Sequence, residues 1–174
     1  MIPAATSQES RKRWLARMQA VRSRLQGRPD SEHEQALIRL GVGLVASAYL
    51  LWRGADSDNF VWAAIIPAVV YVFMAAATLI LVDIVIRPEP SPLRRCYGIS
   101  LDLSATTALM ALSGEGGIPL FAVYLWVTLG NGFRYGQRYL AASAILSLAG
   151  FTTVFLVSDF WRGHAEISVG LLIV

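Results

Sequence analysis

Three ionisable residues stand inside long apolar runs of this sequence: Arg39 within residues 36–52, Asp83 within 60–86 and Asp102 within 97–113. A charge carried into hydrocarbon costs several kcal/mol unless it is paired or hydrated, so such residues mark either an ion-pair clip or a functional path. Asp83 has Arg87 one helical turn away, and Arg39 reaches Asp83 or Asp102 if the first three runs are neighbours. Asp83, Arg87 and Asp102, together with Arg39, are therefore expected to form a structural polar cluster near the inner ends of three helices.

A second chemical signal is Trp126-Val127-Thr128-Leu129-Gly130-Asn131-Gly132-Phe133-Arg134-Tyr135-Gly136, followed by Tyr139. Its three glycines are expected to break the helix, and backbone N–H groups freed beside an Arg form a site for a carboxylate or a lipid headgroup. Gly130, Asn131, Gly132, Arg134 and Tyr135 become candidate ligand contacts, with Arg134 the first choice of donor and Arg39 the second. The same residues equally suit a plain turn between two spans, anchored at the interface by Tyr135, Tyr139 and Arg134.

A third stretch, Asp30-Ser31-Glu32-His33-Glu34-Gln35, leads into the first apolar run. Ser31 with Glu34 fits a capping box, and Asp30 and Glu32 place negative charge at a helix start. His33 reads as a solvated polar residue, because His164 belongs to a loop on the opposite side. No phosphate loop, nucleophile elbow, zinc motif or pair of carboxylates at helical spacing occurs, so no catalytic residue, metal site or cofactor is assigned.

The elements that must position these residues are apolar runs at 36–52, 60–86, 97–113, 119–132, 139–161 and 167–174. With 55% apolar and 16% charged residues, the chain is too apolar for a soluble domain of its length. The pI near 9.4 comes from juxtamembrane Arg and Lys, which topology and anionic headgroups explain without nucleic acid. Basic residues crowd the segment before the first run, the second loop (Arg87, Arg94, Arg95) and the fourth (Arg134, Arg138), which places those segments and the N-terminus in the cytoplasm. The second run is long enough to tilt or to kink at Pro67, and the last is too short to cross, as in a chain cut inside its final helix. Ahead of the spans, Trp14, Met18, Val21 and Leu25 recur at helical spacing among Arg residues, the pattern of an amphipathic interfacial helix. Small residues four apart (Gly43 and Ser47, Ser100 and Ser104, Ser143 and Ser147) are expected to let helices approach. The sequence thus predicts an all-α membrane protein: residues 1–29 form a basic juxtamembrane helix, and residues 30–174 form a bundle of about six transmembrane helices, the sixth truncated. A single cysteine, Cys96, excludes an internal disulfide.

The glycine motif, with Asp-Ser-Glu-His-Glu-Gln-Ala-Leu-Ile-Arg entering the first span and Gly-Leu-Leu entering the last, closely resembles the N-terminal sensor of bacterial hybrid histidine kinases of the RpfC type. Those kinases are receptors for diffusible signal factors, medium-chain cis-2-unsaturated fatty acids used in quorum sensing. The resemblance covers roughly residues 28–174. It implies an inner-membrane sensor, working as a homodimer, that passes fatty-acid occupancy through its last helix to cytoplasmic kinase and receiver domains. It also implies signal sensing by the segment ahead of the first span, which corresponds here to Asp30, Ser31, Glu32, His33 and Gln35. The principal rival is a small transporter or channel, suggested by Arg39, Asp83, Asp102 and the interrupted fourth run.

Overall fold

The computed structural model describes residues 9, 11–13, 15, 16, 19 and 32–173. The described residues of the basic N-terminal segment are helical and exposed, and Arg13 donates to Glu9 at 3.1 Å. Trp14, Met18, Val21 and Leu25, which carry the amphipathic pattern, lie outside the described residues, as do Asp30 and Ser31.

From residue 32 onward the described chain is all-helical, with seven α-helices. Helix α1, Glu32–Arg53, carries Glu32 and Glu34 in its first turn and Arg53 in its last, charges that complement the helix dipole. A π-helical turn, Val61–Ile65, then leads into α2, Ile66–Ile86, with Pro67 in its first turn. Proline lacks an N–H and its ring crowds the carbonyl four residues earlier; the wider π turn accommodates both, so the helical stretch Val61–Ile86 continues through it. Helix α3, Pro92–Ser113, begins where the Ser91 hydroxyl accepts the Arg94 N–H at 3.4 Å and Pro92 occupies the first turn. It ends at Gly114, whose φ of 54° starts a 3-10 segment, Gly114–Leu120. Helices α4, Phe121–Tyr135, and α5, Gln137–Val157, meet at Gly136, with φ 88°. Two short helices follow, α6, Asp159–Gly163, and α7, Ala165–Ile173.

The break expected of the three glycines falls at Gly136 and not at Gly130-Asn131-Gly132. These residues are interior to α4, their N–H groups belong to its ladder, and the chain reverses at Gly136 instead. Two interior glycines cost a helix roughly 1 kcal/mol each relative to alanine, which tertiary packing offsets. Packing also explains Gly132, because a β-carbon there would stand 2.8 Å from Leu140 Cδ1 on α5.

Among the described residues, four segments are long and apolar enough to cross a membrane: Glu32–Arg53, Val61–Ile86, Pro92–Tyr135 and Gln137–Val157. The third, 44 residues long, is not a single rod. It folds back at Gly114 into an antiparallel α3–α4 hairpin, with the Thr107 and Tyr124 hydroxyls 2.6 Å apart across it. Large apolar side chains are exposed in mid-helix, Val45 by 71% and Tyr71 by 75%, as hydrocarbon solvent requires and water does not. The chain is a multi-pass membrane protein.

Helix α1 packs along α2, α2 along α3, and α3 against both α4 and α5. Phe121, Tyr124, Phe151 and Trp161 pack edge to face between α4, α5 and α6, with Trp161 Nε1 donating to the Met110 carbonyl at 3.1 Å. Of the small-residue pairs, Gly43 lies tight against Phe73 and Ser147 bonds Thr128 at 2.8 Å. Ser100 and Ser104 are exposed and bring no other helix close among the described residues.

Candidate functional site

Helices α1 and α3 begin, and α2 and α4 end, on one face of the bundle, and this topology gathers the charged and amide side chains there. Glu32, in the first turn of α1, is the centre of an ion-pair collar. Its Oε1 accepts from Arg95 Nε at 2.6 Å and from the Ser91 N–H at 3.1 Å, while Oε2 accepts from Arg94 Nε at 2.9 Å. Arg94 also donates to Asp83 at 3.1 Å and to the carbonyls of Arg87 and Glu89 at 3.2 and 2.7 Å. One guanidinium thus joins the start of α1, the end of α2 and the start of α3.

A second network runs inward from it. The Arg95 guanidinium stacks over the Tyr135 ring, 4.5 Å from its centroid, and the Tyr135 hydroxyl donates to Gln35 Oε1 at 2.5 Å. Gln35 Nε2 donates to Asn131 Oδ1 at 2.7 Å, and the fully buried Asn131 gives its own amide N–H to the Val127 carbonyl at 2.6 Å. These bonds tie α1 to α4.

Deeper still, Arg39 and Asp102 make a bidentate pair, Nε to Oδ1 at 2.6 Å and Nη2 to Oδ2 at 2.9 Å, with each residue 8% exposed. Of the two acids within its sequence-expected reach, Arg39 takes Asp102. Asp83 is held by Arg94, and its contact with Arg87 is looser, at 3.8 Å. His33 stands apart from both networks, its enclosed Nδ1 having no hydrogen-bond partner among the described residues.

Between α1, α2, α3 and α4 lies a narrow, partly open cavity with about 70 Å³ of free space. One end is polar, formed by Gln35, Arg39, Asp102, Asn131 and Arg134; the rest is walled by side chains such as Val42, Phe73, Leu109 and Val127. Gly130 lines it without filling it, since a β-carbon there would meet nothing within 4 Å. The two arginines differ. Arg39 is neutralised by Asp102, whereas half-buried Arg134 has no ionic or hydrogen-bond partner among the described residues. The slot is thus apolar along most of its wall and polar at one end.

Arg94 and Arg95 escaped the sequence reading except as markers of orientation. A signal was present, because two cations in the first turn of a helix oppose its dipole and call for an anion nearby. Glu32 supplies it.

No family model matches the chain, and no solved structure matches it. Two curated proteins do, both named sensory/regulatory protein RpfC and found in two strains of Xanthomonas campestris pv. campestris. Each is 39% identical over 164 residues, which cover 92% of this chain but 21% of the relative. The chain therefore spans about a fifth of the length of the proteins it matches. Over that span it is a homologue of the N-terminal region of the sensory/regulatory protein RpfC.

Proposed function

We propose that this chain is the membrane-embedded sensor of a hybrid histidine kinase and that it binds a diffusible signal factor, a cis-2-unsaturated fatty acid. The cavity carries the reading: an apolar slot whose polar end holds one guanidinium, Arg134, without a carboxylate partner among the described residues. Each methylene taken from water contributes about 0.8 kcal/mol, and Arg134 offers the acid paired donors. Because the N–H groups of Gly130–132 are committed to α4, the clamp is the side chain alone. Tyr135, Gln35 and Asn131 stand at the same end and carry donors that a displaced hydrogen bond would free.

Occupancy signals only if the ligand binds two arrangements of the bundle with different affinity. The collar around Glu32 is suited to report such a change, since it joins the ends of three helices. In this reading the collar faces the cytoplasm, the chain makes five crossings and begins a sixth, and α7 leads on to kinase and receiver domains of a homodimer. Titrating a labelled signal acid against the purified protein and Arg134→Ala tests the clamp. A charge-assisted contact of about 1.5–3 kcal/mol corresponds to a loss of roughly 10- to 150-fold. Unchanged affinity in a folded Arg134→Ala removes the clamp, and a loss confined to Glu32→Ala moves the site to the start of α1.

A further inference from the structure

We infer that the ligand of this cavity enters sideways from the bilayer, through the seam between α1 and α4, with Gly41 at its mouth. The inference rests on the ligand reading above and adds a route to it.

Helix α1 is closed on one side and open on the other. Toward α2, Gly43 packs so tightly that a β-carbon would stand 2.6 Å from Phe73 Cε1. Two residues earlier, about 200° around the helix, a β-carbon on Gly41 would meet nothing within 4 Å. Helix α1 packs along α2 but not along α4; α4 is tied to it by the Gln35, Asn131 and Tyr135 bonds at one end, and the 3-10 segment touches it at the other. Between these ties runs a surface groove, with Gly41, Val45 and Tyr49 on one bank and Pro119, Leu120 and Val123 on the other. Ile38, Val42, Ala46, Leu120 and Val123 line both this groove and the cavity, so the two spaces share one wall.

The chemistry of the two ways in differs. From the polar end, an acyl chain would have to pass the Glu32 collar, the Gln35–Asn131–Tyr135 bonds and the Arg39–Asp102 pair. The groove carries no charged or amide side chain, and Tyr49 is its one hydroxyl. A fatty acid is already concentrated in the bilayer, and hydrocarbon is as apolar as these side chains, so sliding between them breaks no hydrogen bond.

A plug at the mouth should change rates and leave the equilibrium alone. The whole protein in nanodiscs is exposed to a fluorescent medium-chain cis-2-unsaturated acid, and association and dissociation are followed for wild type, Gly41→Ala, Gly41→Phe and Gly130→Leu. Gly41→Phe is expected to slow both rates in parallel by at least about tenfold, the factor given by about 1.4 kcal/mol of added barrier, with Kd unchanged. Gly41→Ala should match wild type, and Gly130→Leu, which fills the cavity itself, should weaken Kd. Unaltered rates in Gly41→Phe, or a change in Kd without parallel slowing, would overturn the lateral route while leaving the ligand reading intact. No binding by the wild type would sink both.

Discussion

Gly98 on α3 lies directly against the Arg39 guanidinium, where a β-carbon would stand 2.5 Å from Nη2. A flexible side chain would ordinarily move aside, but this one is buried and held at two points by Asp102. Gly98→Ala should therefore force the pair apart or displace α3, costing about 1–3 kcal/mol as overpacking does. Thermal unfolding in detergent measures it, with Gly41→Ala as a control that meets no neighbour. Equal melting of the two variants would mean that Arg39 does not depend on Gly98.

The two membrane aspartates should differ in what they hold. Asp102→Asn leaves Arg39 as an uncompensated buried charge, a loss of about 3–5 kcal/mol. Asp83 is 44% exposed at its side chain, and Arg94 keeps Glu32 without it, so Asp83→Asn should cost less than about 1 kcal/mol. A reversed order in chemical unfolding would contradict the paired geometry. Proton or sodium uptake by proteoliposomes holding the whole protein, abolished by either change, would favour the transporter instead.

A double-mutant cycle on Glu32→Gln and Arg94→Gln should return a coupling of about 0.5–3 kcal/mol, as expected for groups in one buried network. The matching cycle on Asp159 and Arg162, an exposed pair three residues apart, should give roughly 0–1 kcal/mol. Additivity at Glu32 and Arg94 would remove the collar as an energetic unit.

The basic residues predict an orientation that labelling can test. A cysteine near Ser7, or in the loop around Glu89, should stay unreactive toward an impermeant thiol reagent in intact cells and react after lysis. One between Asp56 and Asn59 should react before it. Early labelling at Ser7 would reverse the assignment, because moving so many Arg and Lys residues outward opposes the positive-inside bias.

Hydropathy outlined most of the helices and the basic loops, but it ran residues 139–161 together where the structure ends α5 at Val157, extends at Ser158 and starts α6 at Asp159. It did not separate the three roles that these glycines play. Gly130, Gly132 and Gly136 look alike as letters, yet Gly136 turns the chain, Gly132 makes room for Leu140, and Gly130 leaves the cavity wall bare. Gly132→Ala should accordingly loosen the α4–α5 hairpin, whereas Gly130→Ala should stabilise α4 by up to about 1 kcal/mol. Partner choice was likewise hidden, because Arg39 had two acids in reach and the close approach of α3 at Gly98 and Asp102, not spacing along the chain, decided for Asp102. Of the candidate contacts, Gln35, Arg39, Gly130, Asn131 and Arg134 line one cavity and Tyr135 is bonded to it. His33 does not join them, and Asp30 and Ser31 lie outside the described residues.

The bond between Arg39 and Asp102 spans 63 residues of sequence, and that separation sets a schedule for biosynthesis. Helix α1 leaves the ribosome carrying a cation that costs up to about 3 kcal/mol against insertion, long before the Asp102 carboxylate exists. At about 5–20 residues per second, the wait is roughly 3–13 s. During that interval the leucines and valines of α1 must hold it in the translocon, and α2, whose Asp83 goes to Arg94 in the finished fold, passes through first. Assembly of this bundle is therefore ordered in time: α1 and α2 enter as a provisional pair, and the arrival of α3 converts a tolerated charge into the bond that fixes their register.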